Sequence, residues 1–169
     1  MERIANSLGA DQGQGTQVSL VSVAEKIAKN LGVRNDEVAI LAVSNRWRHL
    51  HFLVPEALKK VGFIPLSSNS ALAARTARDS RPEIENNFSA ARHATVFEGV
   101  KITSEAVEAI QKMISAPILL DGKVIGVIQV SRKGANLANA GLDFTAADLG
   151  KILAFCKPLA KMLHHLSAE

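Results

Sequence analysis

Arg75 and Arg78 lie three residues apart in a segment, residues 71–78, where Leu72, Ala73 and Thr76 recur at helical spacing. Two guanidinium groups on one helix face can hold a carboxylate or a phosphate through paired N–H donors. The same pair can instead be solvated and matched to Asp79 or Glu83, the commoner arrangement for helical arginines. Arg92 and His93 come next, in a stretch without clear periodicity. There His93 can titrate near neutral pH or ligate a metal, although a lone loop histidine is more often a surface residue. His49 and His51 alternate onto one face of an apolar stretch, but no third ligand is spaced with them, so no metal site is expected. The single cysteine, Cys156, excludes an internal disulfide framework and a multi-thiolate zinc site. It stands between Phe155 and Lys157 on a predicted helix, where a buried or interface thiol is the usual reading. His164 and His165 suit the negative end of that helix. The chain holds no nucleophile elbow, phosphate loop, HExxH pair or suggestively spaced carboxylates, so no catalytic role is expected.

The elements that must position these groups come from one chain of 169 residues, long enough for a single domain with a real core. A net charge of +4 raises nucleic acid as a partner. Basic and acidic residues are interspersed, Tyr is absent and Trp47 stands alone, so neither a basic face nor a stacking platform emerges. No nucleic-acid partner is expected. No apolar run reaches the roughly 18 residues of a membrane span, and the N-terminus lacks an apolar signal core, which makes a cytoplasmic protein the economical reading.

Residues 1–17, rich in Gly and Gln, read as a disordered lead-in to a domain over residues 18–166. Leu20, Ala24, Ile27, Ala28 and Leu31 recur at three and four and predict an amphipathic helix ended by Gly32. Strands are predicted over residues 37–43, 48–54 and 61–66, with a helical turn at 55–60. A short strand succeeds the 71–78 helix at 83–86. Residues 87–100 are the least patterned, with Phe88 and Phe97 as anchors, and Ala106, Val107, Ile110, Met113 and Ile114 predict a helix over 105–113. Two apolar runs in residues 117–133 then flank Asp121-Gly122, the strongest short-range hairpin signal because its turn needs positive φ. After a loop at 134–141, Thr145 and Asp148 form a capping box for a long helix reaching Leu166. Pro158 lies inside it and is expected to kink or end it. A hairpin joining neighbouring strands argues for an antiparallel sheet with helices on its faces.

Ala116-Pro117-Ile118, Asp121-Gly122, Ile125-Gly126-Val127-Ile128 and Phe144-Thr145-Ala146-Ala147-Asp148 resemble the last two core strands and terminal helix of a GAF domain, a small-molecule sensing module. The residues from Leu72 to Arg78 with Arg81-Pro82-Glu83-Ile84 resemble the helix and strand that flank the family's pocket. The resemblance implies an α+β sandwich of GAF-like, profilin-like type: a central antiparallel sheet, first and last helices on one face, pocket helices and loops on the other. It implies ligand-binding roles for Ser70, Arg75, Arg78, Asn86, Asn87, Arg92, His93 and Phe97, and structural roles for Asp121, Gly122, Lys133, Thr145 and Asp148. The five-residue signature of cyclic-nucleotide-binding members falls at Arg132, Lys133, Phe144, Asp148 and Leu149. Arg132 replaces Asn and Leu149 replaces Glu, so cyclic-nucleotide recognition is not expected, while Lys133 and Asp148 are expected to form a bridge. A GAF-fold reductase of free methionine sulfoxide relies on several cysteines, which one thiol cannot replace.

The resemblance thus implies a regulatory domain in signal transduction that binds an unidentified small molecule and needs no cofactor. It is expected to form a homodimer through the helices at residues 20–31 and 152–166, because Leu149, Ile152, Leu153, Cys156, Leu159, Ala160, Leu163 and Leu166 make a stripe broader than one sheet face requires. The alternative for the helices is packing on their own sheet in a monomer. With no helix-turn-helix, kinase or cyclase segment, the domain is expected to act on a separate output protein. A dimerisation or protein-interaction scaffold with no small ligand is the other functional reading.

Overall fold

The computed structural model describes residues 12–55, 58–59, 63–88 and 109–167. Helix α1 (Gln12–Leu31) leads through a short 3-10 turn (Asn35–Glu37) into β1 (Val38–Ser44), β2 (His49–Val54) and β3 (Phe63–Pro65). Helix α2 (Leu72–Asp79) and β4 (Glu83–Glu85) are next, then the long hairpin β5 (Ala109–Leu120) and β6 (Lys123–Gly134), the short α3 (Leu137–Ala140) and the terminal α4 (Ala146–Ser167). The strands form one sheet in the order β3-β2-β1-β6-β5-β4, every neighbouring pair antiparallel. The expected α+β sandwich is the architecture observed.

Asp121 (φ 54°) and Gly122 (φ 79°) close the β5–β6 turn with the positive dihedrals that an Asp-Gly hairpin demands. The capping box is also present. The Thr145 N–H donates to Asp148 Oδ2 (2.9 Å) and the Asp148 N–H to Thr145 Oγ1 (3.2 Å), satisfying two of the donors a helix start leaves open.

Three expectations are corrected and one is narrowed. Residues 109–113 belong to β5, not to a helix over 105–113; residues 105–108 lie outside the described part. A bulge between Ile110 and Lys112 adds one residue to the β5–β6 ladder, so Ile110 and Met113 enter the same apolar cluster and their spacing imitates a helix. Helix α1 begins at Gln12, six residues before Val18, so residues 12–17 are not a disordered lead-in. The expected loop at 134–141 holds α3, capped where Asn136 Oδ1 accepts the Asn139 N–H (2.9 Å). Pro158 sits within α4 without ending it.

One face of the sheet carries α1 and α4. Leu20, Ala24, Ile27 and Leu31 from α1 meet Ile152, Leu159 and Leu163 from α4 over Ile40, Ile114, Ile118 and Ile128. Gly126 makes the seating of α4 possible: a Cβ there would stand 2.6 Å from Leu163 Cδ1 and 2.6 Å from the Leu41 carbonyl oxygen. Of the stripe expected to face a second copy, Ile152, Cys156, Leu159, Ala160 and Leu163 are therefore buried within one chain, whereas Leu153 is left exposed.

Candidate functional site

The other face of the sheet is mixed. Ala39, Leu41, Leu50, Phe52, Met113 and Val127 form its apolar floor, with Leu72, Ala73 and Ala74 of α2 packed on it. Under α2 lies a buried polar line. Thr76 Oγ1 donates to the Leu72 carbonyl (3.0 Å), the Thr76 and Ser115 hydroxyls share a hydrogen bond of 2.7 Å, and Gln129 Nε2 donates to Ser115 Oγ (3.1 Å). Gln129 Oε1 is buried with no hydrogen-bond partner among the described residues.

Where α2 ends, the same face opens into a cleft of about 560 Å³. Val43, Leu66 and Val124 contribute apolar lining; Arg48, Arg78 and Lys123 contribute its charge, and Asn45, Ser67 and Ser80 its neutral polar groups. Among the described residues, no acidic side chain lines it. Its walls come from the β1–β2 turn, the chain after β3, the C-terminal end of α2 and the β5–β6 turn. Leu66 ties two of them together: its N–H donates to the Arg48 carbonyl (3.1 Å), and its carbonyl accepts from Arg78 Nη1 (2.6 Å). The same Nη1 donates to the Ser68 carbonyl (2.7 Å), which fixes the guanidinium at the rim.

Of the described residues expected to bind a ligand, Arg78 alone lines this cleft. Arg75 instead grips Glu83 in a two-pronged ion pair, Nη2 to Oε1 at 2.7 Å and Nε to Oε2 at 2.9 Å, and that hydrogen bonding raises its pKa. The shared helix face therefore does not become a paired clamp. Ser70 and Asn87 are exposed and away from the cleft lining. Asn86 clips the end of β4 to the start of α4: its Nδ2 donates to the Phe144 carbonyl (3.0 Å) and its Oδ1 accepts the Phe144 N–H (2.8 Å). Arg92, His93 and Phe97 lie outside the described residues. Sequence reasoning passed over Arg48 and Lys123. The signal available for Arg48 was its place in the Asn45-to-Arg48 turn, but only the fold puts it beside Arg78.

The positions matching the nucleotide signature serve the scaffold. Arg132 Nη2 and Nη1 donate to the carbonyls of Leu31 (3.0 Å) and Gly32 (3.3 Å) at the end of α1, and its guanidinium stacks 4.9 Å from the Phe144 ring. The Lys133–Asp148 bridge is not made. Lys133 Nζ donates to the Asp36 carbonyl (3.2 Å), and the Asp148 carboxylate is turned to the Thr145 N–H. The Lys133 N–H reaches the buried Glu37 carboxylate (2.6 Å), so the 3-10 turn rather than α4 fastens this end of β6. Buried Lys112 similarly pairs with Asp143 (2.9 Å), anchoring the loop before Phe144.

His49 stacks on Phe63, ring centroids 4.3 Å apart, and meets His51 edge-on at 6.0 Å. Burial, with the neighbouring His49, lowers the His51 pKa. Burial pushes the Cys156 thiol up to about 11, away from the thiolate that redox chemistry requires.

No family model matches the sequence, and no curated protein matches it. Solved structures do match in fold. The GAF domain of a phosphoenolpyruvate-protein phosphotransferase from Acinetobacter is similar at a TM-score of 0.67 and 19% identity, over 90% of this chain and 84% of its own. The type II free methionine-R-sulfoxide reductase from Thermoplasma acidophilum is similar at 0.62 and 13%, over 90% and 95%. The GAF-B domain of DevS from Mycobacterium smegmatis is similar at 0.58 and 15%, over 92% and 96%. At such identities the likeness is one of fold, and this chain folds as a GAF-like domain.

Proposed function

We propose that this domain is a small-molecule-sensing regulatory module that acts on a separate partner. The observation that carries the proposal is the open cleft beside α2, on the face of the sheet that the terminal helices leave free. Two of the structural neighbours described above are GAF domains, of a phosphotransferase and of DevS, and the parallel with those proteins supports a regulatory role by analogy. The third is a reductase, but a single buried thiol held at a pKa of about 11 speaks against its chemistry here. The dimer expected through α1 and α4 is left out of the proposal, because most of the described stripe residues pack in the core of one chain.

The test is a thermal-shift screen of the full chain against a metabolite panel, with native mass spectrometry of any stabilising compound. The expected result is a saturable rise in melting temperature with one class of compound and a bound mass that disappears on denaturation. No stabilisation and a clean apo mass across the panel would favour the interaction-scaffold reading.

A further inference from the structure

Resting on the sensor reading, the geometry points to the class of ligand: we infer that the cleft takes a small anion bearing phosphate or carboxylate, held between Arg48, Arg78 and Lys123. These three cations come from three separate segments and face one opening. Acidic residues stand nearby in sequence, Asp79 after Arg78 and Asp121 before Gly122, but neither lines the cleft. Ordinary surface charge is interspersed, as it is along the rest of this chain. A concave site with three cations and no carboxylate among its described lining residues focuses positive potential on whatever enters.

Two of the three are also anchored, Arg78 through its side chain and Arg48 through its backbone. Arg78 is fixed through one nitrogen by two carbonyls, which leaves Nη2 and Nε as donors for a ligand. Arg48 is fixed through its backbone, since its carbonyl accepts from Leu66, the residue whose own carbonyl holds Arg78. The Arg48 backbone is left-handed, with φ at 56°. Arg48 closes the four-residue turn between β1 and β2, a left-handed position that glycine fills at lower energy, so its side chain can be removed there without a backbone cost.

Arg48→Gly therefore separates structure from binding. It relieves the backbone while deleting a ligand contact, so stability and affinity should move in opposite directions. Arg78→Ala is a poorer test, because it also releases the Leu66 and Ser68 carbonyls. The experiment is an amide NMR titration of the full chain with sodium pyrophosphate and with citrate, at constant ionic strength, against a matched sodium chloride reference. The expected result is saturable shifts confined to residues 45–48, 66–67, 78–80 and 122–124, with pyrophosphate and citrate distinguishing a phosphate from a carboxylate preference. Arg48→Gly and Lys123→Gln should each weaken binding about tenfold, as loss of a charge-assisted contact does, and Arg48→Gly should melt no lower than the parent chain. Shifts that only track ionic strength, or unchanged affinity in Arg48→Gly, would overturn the inference. A neutral compound that shifts these same amides while both anions do not would also overturn it, yet leave the sensor reading standing.

Discussion

The two faces of the sheet solve different problems with the same strands. On the face under α1 and α4, β1, β5 and β6 present Ile40, Ile114, Ile118, Ile128 and Val130, and Gly126 lets α4 approach the backbone. On the face under α2, β5 and β6 present Ser115 and Gln129 among apolar neighbours, and the helix covering them has eight residues, whereas α4 has 22. Apolar burial without polar partners gives rigid packing, whereas buried amides and hydroxyls tie packing to a hydrogen-bond pattern. The first face is a foundation, and under the proposed sensor reading adaptation to a ligand falls to the second.

Gly126→Val should have the largest effect on this division of labour. Its Cβ meets a backbone oxygen that cannot swing aside, so a loss of about 3 kcal/mol or more is expected in urea unfolding. A loss below about 1 kcal/mol would mean that α4 is not seated as described. Next comes Arg132→Met, which keeps the stem but removes the contacts to the Leu31 and Gly32 carbonyls and to the Phe144 ring. About 2 kcal/mol should be lost, with faster hydrogen exchange at the end of α1; unchanged exchange there would remove its capping role. Gln129→Leu probes the contrast from the polar face. Deleting an amide whose oxygen has no partner among the described residues should leave stability within about 1 kcal/mol of the parent, since the lost bond to Ser115 is offset by the lost desolvation. A severe loss would show that the oxygen is satisfied.

The smallest effect concerns pH. His51 has its pKa lowered below 6.5 by burial, so the unfolded chain binds the proton more readily than the folded one. Its contribution is complete above pH 6.5 and declines as pH falls through and below that value. His51→Gln should flatten that part of the stability profile between about pH 7 and pH 5; an unaltered slope would assign it to other groups.

Much of the fold was legible because its signals are local. The Asp121-Gly122 turn and the Thr145–Asp148 box each act within four residues, and each formed as read. Residues 109–113 misled because a bulge set Ile110 and Met113 on one side, a spacing that suits a helix equally well. The candidate site was far less legible. Arg75 and Arg78 looked equivalent, but the turn after α2 brings Glu83 to Arg75 alone, leaving Arg78 for the cleft. Lys133 and Asp148 looked complementary, yet each found a nearer backbone partner.

Local sequence settled where turns, caps and apolar stripes fall, because backbone dihedrals and helix ends are set by immediate neighbours. An antiparallel hairpin and a capped terminal helix were therefore written into short runs of residues. The tertiary structure alone settled which face each stripe covers, that Arg132 caps α1, and that Arg48, Arg78 and Lys123 share one opening. Those three cations come from segments far apart in the chain, and their meeting depends on strand order and register, which no local run of residues encodes.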